Sequence, residues 1–301
     1  MTEDIRDELE RRYRNLRERA LGQEKELGGS REEIYKFGSD ALNAGETYYP
    51  LIAFKQLDDH EKLKEVGELA LRKHSIDAHY AFKHINDREG MLRIIQSYPY
   101  YSGRDVPFGD YLLNGVLRDY MGDELLKQVT NRFKKWHKER GYEKANTFHI
   151  EPINMIYNLK DEFDLAVGTA KSGLYGAFLF DLYGTPAIAV DAHRHGNGAT
   201  FHSNEDLSKL IPGRKVVVCD KDVVSGRTSR RVLRELKKYD PESVSLVLNN
   251  NPNRGPVGIG TNVERIPFGY ETVYFPKDFS LEKYDEVVRT LEEKILGVEN
   301  E

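Results

Sequence analysis

The chain has 301 residues, 32% of them charged and 39% hydrophobic, which is length enough for one large or two ordinary domains with real cores. A net charge of −5 argues against a mainly electrostatic nucleic-acid binder and leaves only a local basic patch for such a partner. The one cysteine, Cys219, excludes an intrachain disulfide or a multi-cysteine zinc site, and no apolar run approaches the ~18–20 residues of a membrane span. With a charged N-terminus unlike a signal peptide, these features predict a cytoplasmic chain without a membrane partner.

Residues 1–145 read as an all-α domain. Segment 3–26 is dense in both charge signs at helical spacing, as in a solvated, ion-paired helix or a partner-binding arm. An internal echo follows: Ala53-Phe-Lys-Gln-Leu-Asp-Asp-His-Glu-Lys-Leu63 recurs 28 residues later as Ala81-Phe-Lys-His-Ile-Asn-Asp-Arg-Glu-Gly-Met91, with five identities. A looser third copy runs over 116–126. Each copy reads as a helix end, a polar corner and a new helix, so a helical-repeat or bundle domain that binds a protein partner or covers a neighbouring site is expected. In 127–144 Leu125, Val129, Phe133 and Trp136 recur at four, four and three, which gives an amphipathic helix with a basic polar face.

Residues 146–301 change texture. Apolar runs at 165–167, 187–190, 216–219 and 244–248 alternate with helical stretches at 174–183 and 230–239. Strands this continuous in hydrophobicity, about one helix apart, predict an α/β domain: a parallel sheet with helices on both faces. Ligands of such sheets gather at the carboxyl ends of strands, where the unusual residues fall.

Three loops stand there. Gly168-Thr-Ala-Lys-Ser-Gly173 follows the first strand, and its glycines with Lys171 suit a phosphate or pyrophosphate, although the order is not that of a Walker loop. Asp191-Ala-His-Arg-His-Gly-Asn-Gly-Ala-Thr-Phe-His202 follows the next, rich in cation-capable side chains and expected to be exposed and mobile, like a loop that closes over an anion. Lys215-Val-Val-Val-Cys-Asp-Lys-Asp-Val-Val-Ser-Gly-Arg-Thr228 joins an apolar strand to acids suited to ribose hydroxyls or magnesium, then to a turn suited to a phosphate. Asn249-Asn-Asn-Pro-Asn-Arg254, at a further strand end, reads either as a plain polar loop or as a base contact.

Together the three loops resemble the type I phosphoribosyltransferases over roughly residues 148–276. The family's signature is an apolar run, a pair of acids, a short variable stretch and a Ser/Thr-Gly-x-Thr turn, and residues 216–228 match most of it. The resemblance implies binding of phosphoribosyl pyrophosphate or a nucleotide, and transfer of phosphoribose to a nucleobase or similar acceptor with release of pyrophosphate. It implies pyrophosphate binding at Ala170, Lys171, Ser172 and Gly173, and a cationic loop with His193, Arg194 and His195. It implies a 5-phosphate cradle at Val224, Ser225, Gly226, Arg227, Thr228 and Ser229, with Asp220 and Asp222 as acids and Mg²⁺ brought by the substrate. Asp220, Asp222, Lys171, Arg194 and His195 would serve catalysis, and a homodimer is expected from the family alone. The segment 268–276 is similar to the aromatic strand that lies over the base in purine-type members; core packing of an amphipathic strand explains it as well.

One departure matters. Aligned without a gap, the family's second acid falls on Lys221, and only a one-residue slip puts Asp222 there. A lysine would repel magnesium and could not act as a base; it would pair with Asp220 or meet a phosphate. This favours the alternative of a non-catalytic phosphoribosyl or nucleotide sensor that signals through the helical half. A remoter alternative is a metal hydrolase in which His193 and His195, as an H-x-H pair, bind zinc with His149 and His202. The barrel that carries such pairs needs some 200 residues or more, whereas 106 follow His195.

Overall fold

The computed structural model describes residues 3–20, 27–97, 109–143, 145, 150–192, 194–195, 198–221, 223, 226–249 and 263–297, with the backbone alone at 109–112, 151 and 194–195. Two compact units result, Met1–Tyr120 and Met121–Glu301.

The first unit is helical: α1 (Glu3–Arg19), α2 (Arg31–Asn43), α3 (Tyr48–Leu57), α4 (His60–Arg72), α5 (Asp77–His84), α6 (Arg88–Gln96) and α7 (Gly109–Met121). The sequence echo is a repeated corner. Asp58 after α3 and Asn86 after α5 both take φ 54°, a left-handed step that Asp and Asn tolerate better than most side chains. The next residue then caps the following helix. The Asp59 carboxylate accepts from the Lys62 N–H at 3.0 Å, and the Asp87 carboxylate accepts from the Gly90 N–H at 2.9 Å. The corner also seats an aromatic ring. A Cβ on Gly38 would come within 3.0 Å of the Phe54 ring, and one on Gly67 within 2.6 Å of the Phe82 ring, so each phenylalanine packs against a glycine of the helix before it. Both rings are fully buried. The looser third copy turns at Gly122, at φ 79° and with no side-chain cap on the next helix.

That helix, α8 (Asp123–Glu139), buries Leu125, Val129, Phe133 and Trp136. They face the second unit's own elements: the Phe133 ring lies 5.2 Å from that of Tyr175, and Trp136 Nε1–H donates to Asp181 Oδ2 at 2.6 Å. After α9 (Glu151–Leu159) the sheet begins. Its strands are β1 (Leu165–Thr169), β2 (Ala187–Asp191), β5 (His202–Ser203), β6 (Lys215–Asp220), β7 (Ser243–Leu248) and β8 (Val273–Tyr274). Their order is β5-β2-β1-β6-β7-β8. All pairs are parallel except β5, which lies antiparallel on β2. The strands between β2 and β8 thus form the expected parallel core, and β5 makes the sheet mixed. The short strands β3 (Arg194–His195) and β4 (Gly198–Ala199) pair as a separate antiparallel ribbon.

Alternation along the buried strands sends successive side chains to opposite faces. On one face Leu165, Val167, Val216, Val218, Leu246 and Leu248 pack with Val232, Leu233 and Leu236 of α12 (Arg227–Leu236). On the other lies α10 (Leu174–Tyr183), where a Cβ on Gly168 would meet Ala177 at 2.7 Å and one on Gly176 would meet Cys219 at 3.0 Å. The short helix α11 (Leu207–Leu210) precedes β6, and α13 (Tyr284–Leu296) follows the sheet. Helices therefore cover both faces, preceded by a helical unit.

The connections fix where a ligand can sit. From β1 the chain crosses through α10 to β2 on one side, and from β6 it crosses through α12 to β7 on the other. Since β1 and β6 are neighbours, the crevice between their carboxyl ends is the point where crossovers diverge, the favoured ligand position in open α/β sheets. The described strands form an open sheet with β5 and β8 at its edges, so the barrel that the metal-hydrolase alternative invokes is not this fold.

Candidate functional site

At that crevice the first and third loops touch. Thr169, the last residue of β1, is buried and donates its hydroxyl to the Cys219 C=O at 3.1 Å, which ties the ends of β1 and β6 together. The Ala170–Lys171 peptide is cis. The turn closes by the Gly173 N–H donating to the Thr169 C=O at 2.8 Å. Gly173 is obligatory by contact rather than by dihedral angle: a Cβ there would stand 1.7 Å from the Cys219 carbonyl oxygen. The start of α10 can press against β6 only because that side chain is absent.

Asp220 ends β6 and is 5% exposed. One of its carboxylate oxygens, Oδ1, accepts from Ser172 Oγ–H at 2.5 Å and from the Lys221 N–H at 2.8 Å. Charge-assisted bonds of this kind are about twice as strong as neutral ones. The carboxylate is thereby held in place by the first loop and by its own backbone. Lys221 is half-buried beside it, Lys171 projects into solvent, and Ala170 is half-buried. Behind them the Cys219 thiol is fully buried, and burial, with the Asp220 charge, pushes its pKa up, so it is no thiolate nucleophile.

The third loop resumes at Gly226, at φ 69°. A Cβ there would lie 2.0 Å from the Arg265 carbonyl oxygen, so glycine is required both by the left-handed conformation and by the close approach. From Gly226 the chain enters α12, and among the described residues no side chain caps that helix. Arg227 is exposed, Thr228 half-buried and Ser229 buried. The Ser229 C=O accepts from the Tyr270 hydroxyl at 2.8 Å. Burial, followed by the Asp220 charge, raises the pKa of that hydroxyl.

Of the residues singled out from sequence, the structure brings together Lys171, Ser172, Gly173, Asp220 and Lys221. It places Gly226, Arg227, Thr228 and Ser229 at the start of the adjoining helix. Asp222, His193, Val224, Ser225 and His149 lie outside the described residues, as do Asn250–Arg254. Arg194 and His195 are described by backbone only, in the β3–β4 ribbon, whose second strand packs beside α12. His202 stands at the sheet edge with Nε2 at 3.1 Å from Asn204 Oδ1. Among the described residues no group of three or more His, Cys, Asp or Glu side chains is arranged to hold a metal.

Three contributors escaped the sequence reading as such. Thr169 read as part of the first phosphate loop and Tyr270 as part of an aromatic strand, and only the register across strands reveals what they tie. Asn249 is not a loop residue in water. Its N–H donates to the Asp220 C=O at 2.9 Å, and its side chain is buried with neither polar atom hydrogen-bonded among the described residues. Of the segment 268–276, Val273–Tyr274 forms β8 beside β7, while Phe275 packs into the core. A groove at the opposite, amino end of the sheet is lined by Asp161, Glu162, Glu242 and Glu271 with Lys215. Its acidic rim is unsuited to a phosphate.

No helix among the described residues is long and apolar enough to cross a membrane. No protein-family model matches the chain, and no curated protein matches it significantly. Among solved structures, part of the chain resembles a purine phosphoribosyltransferase from Pyrococcus horikoshii Ot3, with 18% identity over 45% of this chain and 93% of that one and a TM-score of 0.31. A hypothetical protein from Neisseria gonorrhoeae with bound ppGpp shares 19% identity over 50% of this chain and 96% of its own, at a TM-score of 0.30. The glutamine phosphoribosylpyrophosphate amidotransferase of B. subtilis, complexed with ADP and GMP, shares 18% over 46% of this chain and 37% of that one, at 0.33. Likeness at this level concerns the arrangement of strands and helices and says nothing of chemistry.

Proposed function

We infer that the crevice between the carboxyl ends of β1 and β6 binds a 5-phosphorylated ribose, as phosphoribosyl pyrophosphate or a nucleotide, and that the protein transfers the phosphoribosyl group to a nucleobase or similar acceptor. The observation that carries this reading is the convergence of Ser172 Oγ–H and the Lys221 N–H on one oxygen of Asp220. It joins the loop with pyrophosphate-binding character to the acid of the ribose-binding motif, at the divergence point of the crossovers.

In the transfer the bond from the anomeric carbon to the pyrophosphate oxygen breaks, and its electron pair leaves with pyrophosphate. A bond to the acceptor nitrogen forms, and the acceptor's proton passes to solvent. The developing sugar cation calls for fixed negative charge, which Asp220 supplies, and the leaving group calls for positive charge and N–H donors, supplied by Lys171 and the Ala170–Gly173 backbone. Gly226 and the uncapped start of α12 suit the 5-phosphate. Arg194 and His195, with Asp222, keep their roles from the resemblance as part of the proposal. Magnesium would neutralise pyrophosphate charge. Asp220 would be its described protein carboxylate, and one or two carboxylates suffice when substrate phosphates and water complete the shell.

The test is pyrophosphate release from phosphoribosyl pyrophosphate, with and without Mg²⁺, across a panel of bases, alongside calorimetric binding. Mg²⁺-dependent release with one base is the expected result. Binding with no release for any acceptor assigns the site to sensing, the reading favoured by Lys221 beside Asp220, with the helical unit as the surface for a protein partner. Absence of binding under all conditions overturns both readings.

A further inference from the structure

Beyond Arg227, which belongs to the proposed 5-phosphate turn, the outer face of α12 has a composition that phosphoribosyl binding does not use. Arg227, Arg230, Arg234 and Lys237 are all exposed, at spacings of three, four and three, so they line one helix face. On the neighbouring flank Arg231 and Lys238 share Glu235, at 3.2 and 2.6 Å. Arg230, Arg234 and Lys237 have no ion-pair partner among the described residues. The net charge of −5 therefore conceals a local cationic stripe, about 15 Å long at 1.5 Å per residue.

A second, independent feature lies beside the stripe. The segment from Arg265 to Tyr270 runs along α12. The Arg265 C=O sits over Gly226, a Cβ on Gly269 would reach Lys237 Nζ at 3.0 Å, and the Tyr270 hydroxyl bonds the Ser229 C=O. Ile266 and Tyr270 pack into the core of the sheet. Between them Phe268 is fully exposed, at 104%. A lone exposed apolar residue needs no explanation. Here, however, the segment is anchored on both sides of the ring, by Ile266 and Tyr270, and the adjoining Gly269 lies against Lys237 at the end of the stripe.

An aromatic face beside a row of guanidinium groups matches one chemistry well. Arginine binds phosphate oxygens in a planar fork, and side chains three or four apart on a helix stand about 5–6 Å from each other, a spacing suited to successive phosphates. An exposed ring stacks an unpaired base. A base pair offers no free face to such a ring, and an acidic peptide has no use for it. We propose that this face binds single-stranded nucleic acid, with phosphates along Arg230, Arg234 and Lys237 and a base on Phe268.

The experiment is fluorescence anisotropy on the full chain with labelled single strands of about twelve nucleotides, RNA and DNA, against a duplex of equal length. Polyglutamate and phosphatidylserine vesicles serve as competing polyanions. Single strands of either sugar should bind more tightly than the duplex and both competitors. Phe268→Ala should weaken binding about five- to a hundredfold, as expected for one stacked base. The double variant Arg230→Gln, Arg234→Gln should lower the slope of log K against log salt by about 1.4, two phosphate contacts at ~0.7 each. All three side chains are exposed, so thermal midpoints should not move. The proposal fails if no strand binds at low salt, if the duplex, polyglutamate or vesicles bind as tightly, or if Phe268→Ala and the double variant match the wild type. Each outcome is independent of phosphoribosyl pyrophosphate binding, which is measured separately.

Discussion

Replacing Gly226 by alanine tests the third loop against an internal reference. Gly213 has nearly the same backbone angle, φ 67° against 69°, and lies in the same compact unit, but a Cβ on Gly213 has nothing within 4 Å. Gly213→Ala therefore measures left-handed strain alone, roughly 1–2 kcal/mol, partly offset by about 0.4–1 kcal/mol from a less flexible unfolded chain. Gly226→Ala adds a methyl group 2.0 Å from the Arg265 carbonyl oxygen. Backbone must move to admit it, and overpacking of this kind costs typically about 1–3 kcal/mol more. The expected losses are about 1 kcal/mol for Gly213→Ala and about 2–4 kcal/mol for Gly226→Ala. Urea titration followed by circular dichroism reads the two values, and melting should separate the variants by a few degrees, at about 2–4 °C per kcal/mol for a unit of this size. Because the movement displaces the start of α12, Gly226→Ala should also weaken phosphoribosyl pyrophosphate binding in calorimetry, whereas Gly213→Ala should not. Equal stability of the two variants would refute the contact argument, and intact ligand affinity in Gly226→Ala would refute the role of the turn.

Further outcomes follow from contacts elsewhere. Ser172→Ala removes a hydrogen bond to a buried carboxylate and should cost about 1.5–3 kcal/mol, while Ser172→Thr should recover part of the loss in the same urea titration. Asp59→Ala and Asp87→Ala delete equivalent helix caps and should each destabilise the helical unit by about 1 kcal/mol; caps of unequal worth would show that the two corners are alike only in outline. His79 is largely buried, which lowers its pKa below the usual 6.5 despite its hydrogen bond to Asp119. As pH falls below 6.5 the unfolded chain takes up a proton that the folded imidazole resists, so stability is present above that value and is lost on acidification. His79→Gln should flatten this acid-side slope, and an unchanged slope in pH-dependent urea titrations would refute the assignment.

The sheet was legible because its strands are buried on both faces. Runs such as Val216-Val-Val-Cys219 need no periodicity to be recognised; of the helices between them, Leu174–Tyr183 fell where it was expected, while the one expected at 230–239 starts three residues earlier, at Arg227–Leu236. The segment 191–203 was harder. Its strands are two residues long, too short for alternation to register, so the antiparallel ribbon and the antiparallel edge strand were not read from the chain. The helix Asp123–Glu139 shows another limit: its apolar stripe was plain, but the surface that the stripe would cover was not, and it packs with the α/β elements. At the candidate site, residue types and order announced a phosphate-and-acid pair of loops. That Ser172 reaches Asp220 across 48 positions, and that Asn249 is buried behind it, depend on register between parallel strands, which no local pattern encodes.

The glycine sockets of the helical unit couple each repeat to its neighbours. Phe54 leans on Gly38 of the helix before it, and Phe82 is clasped between Gly67 of the helix before it and Gly90 of the helix after it. Nearest-neighbour coupling of this kind means that the Phe82 ring is fully seated only once the following helix has emerged during synthesis. Removal of helices from either side of that ring would then unseat it.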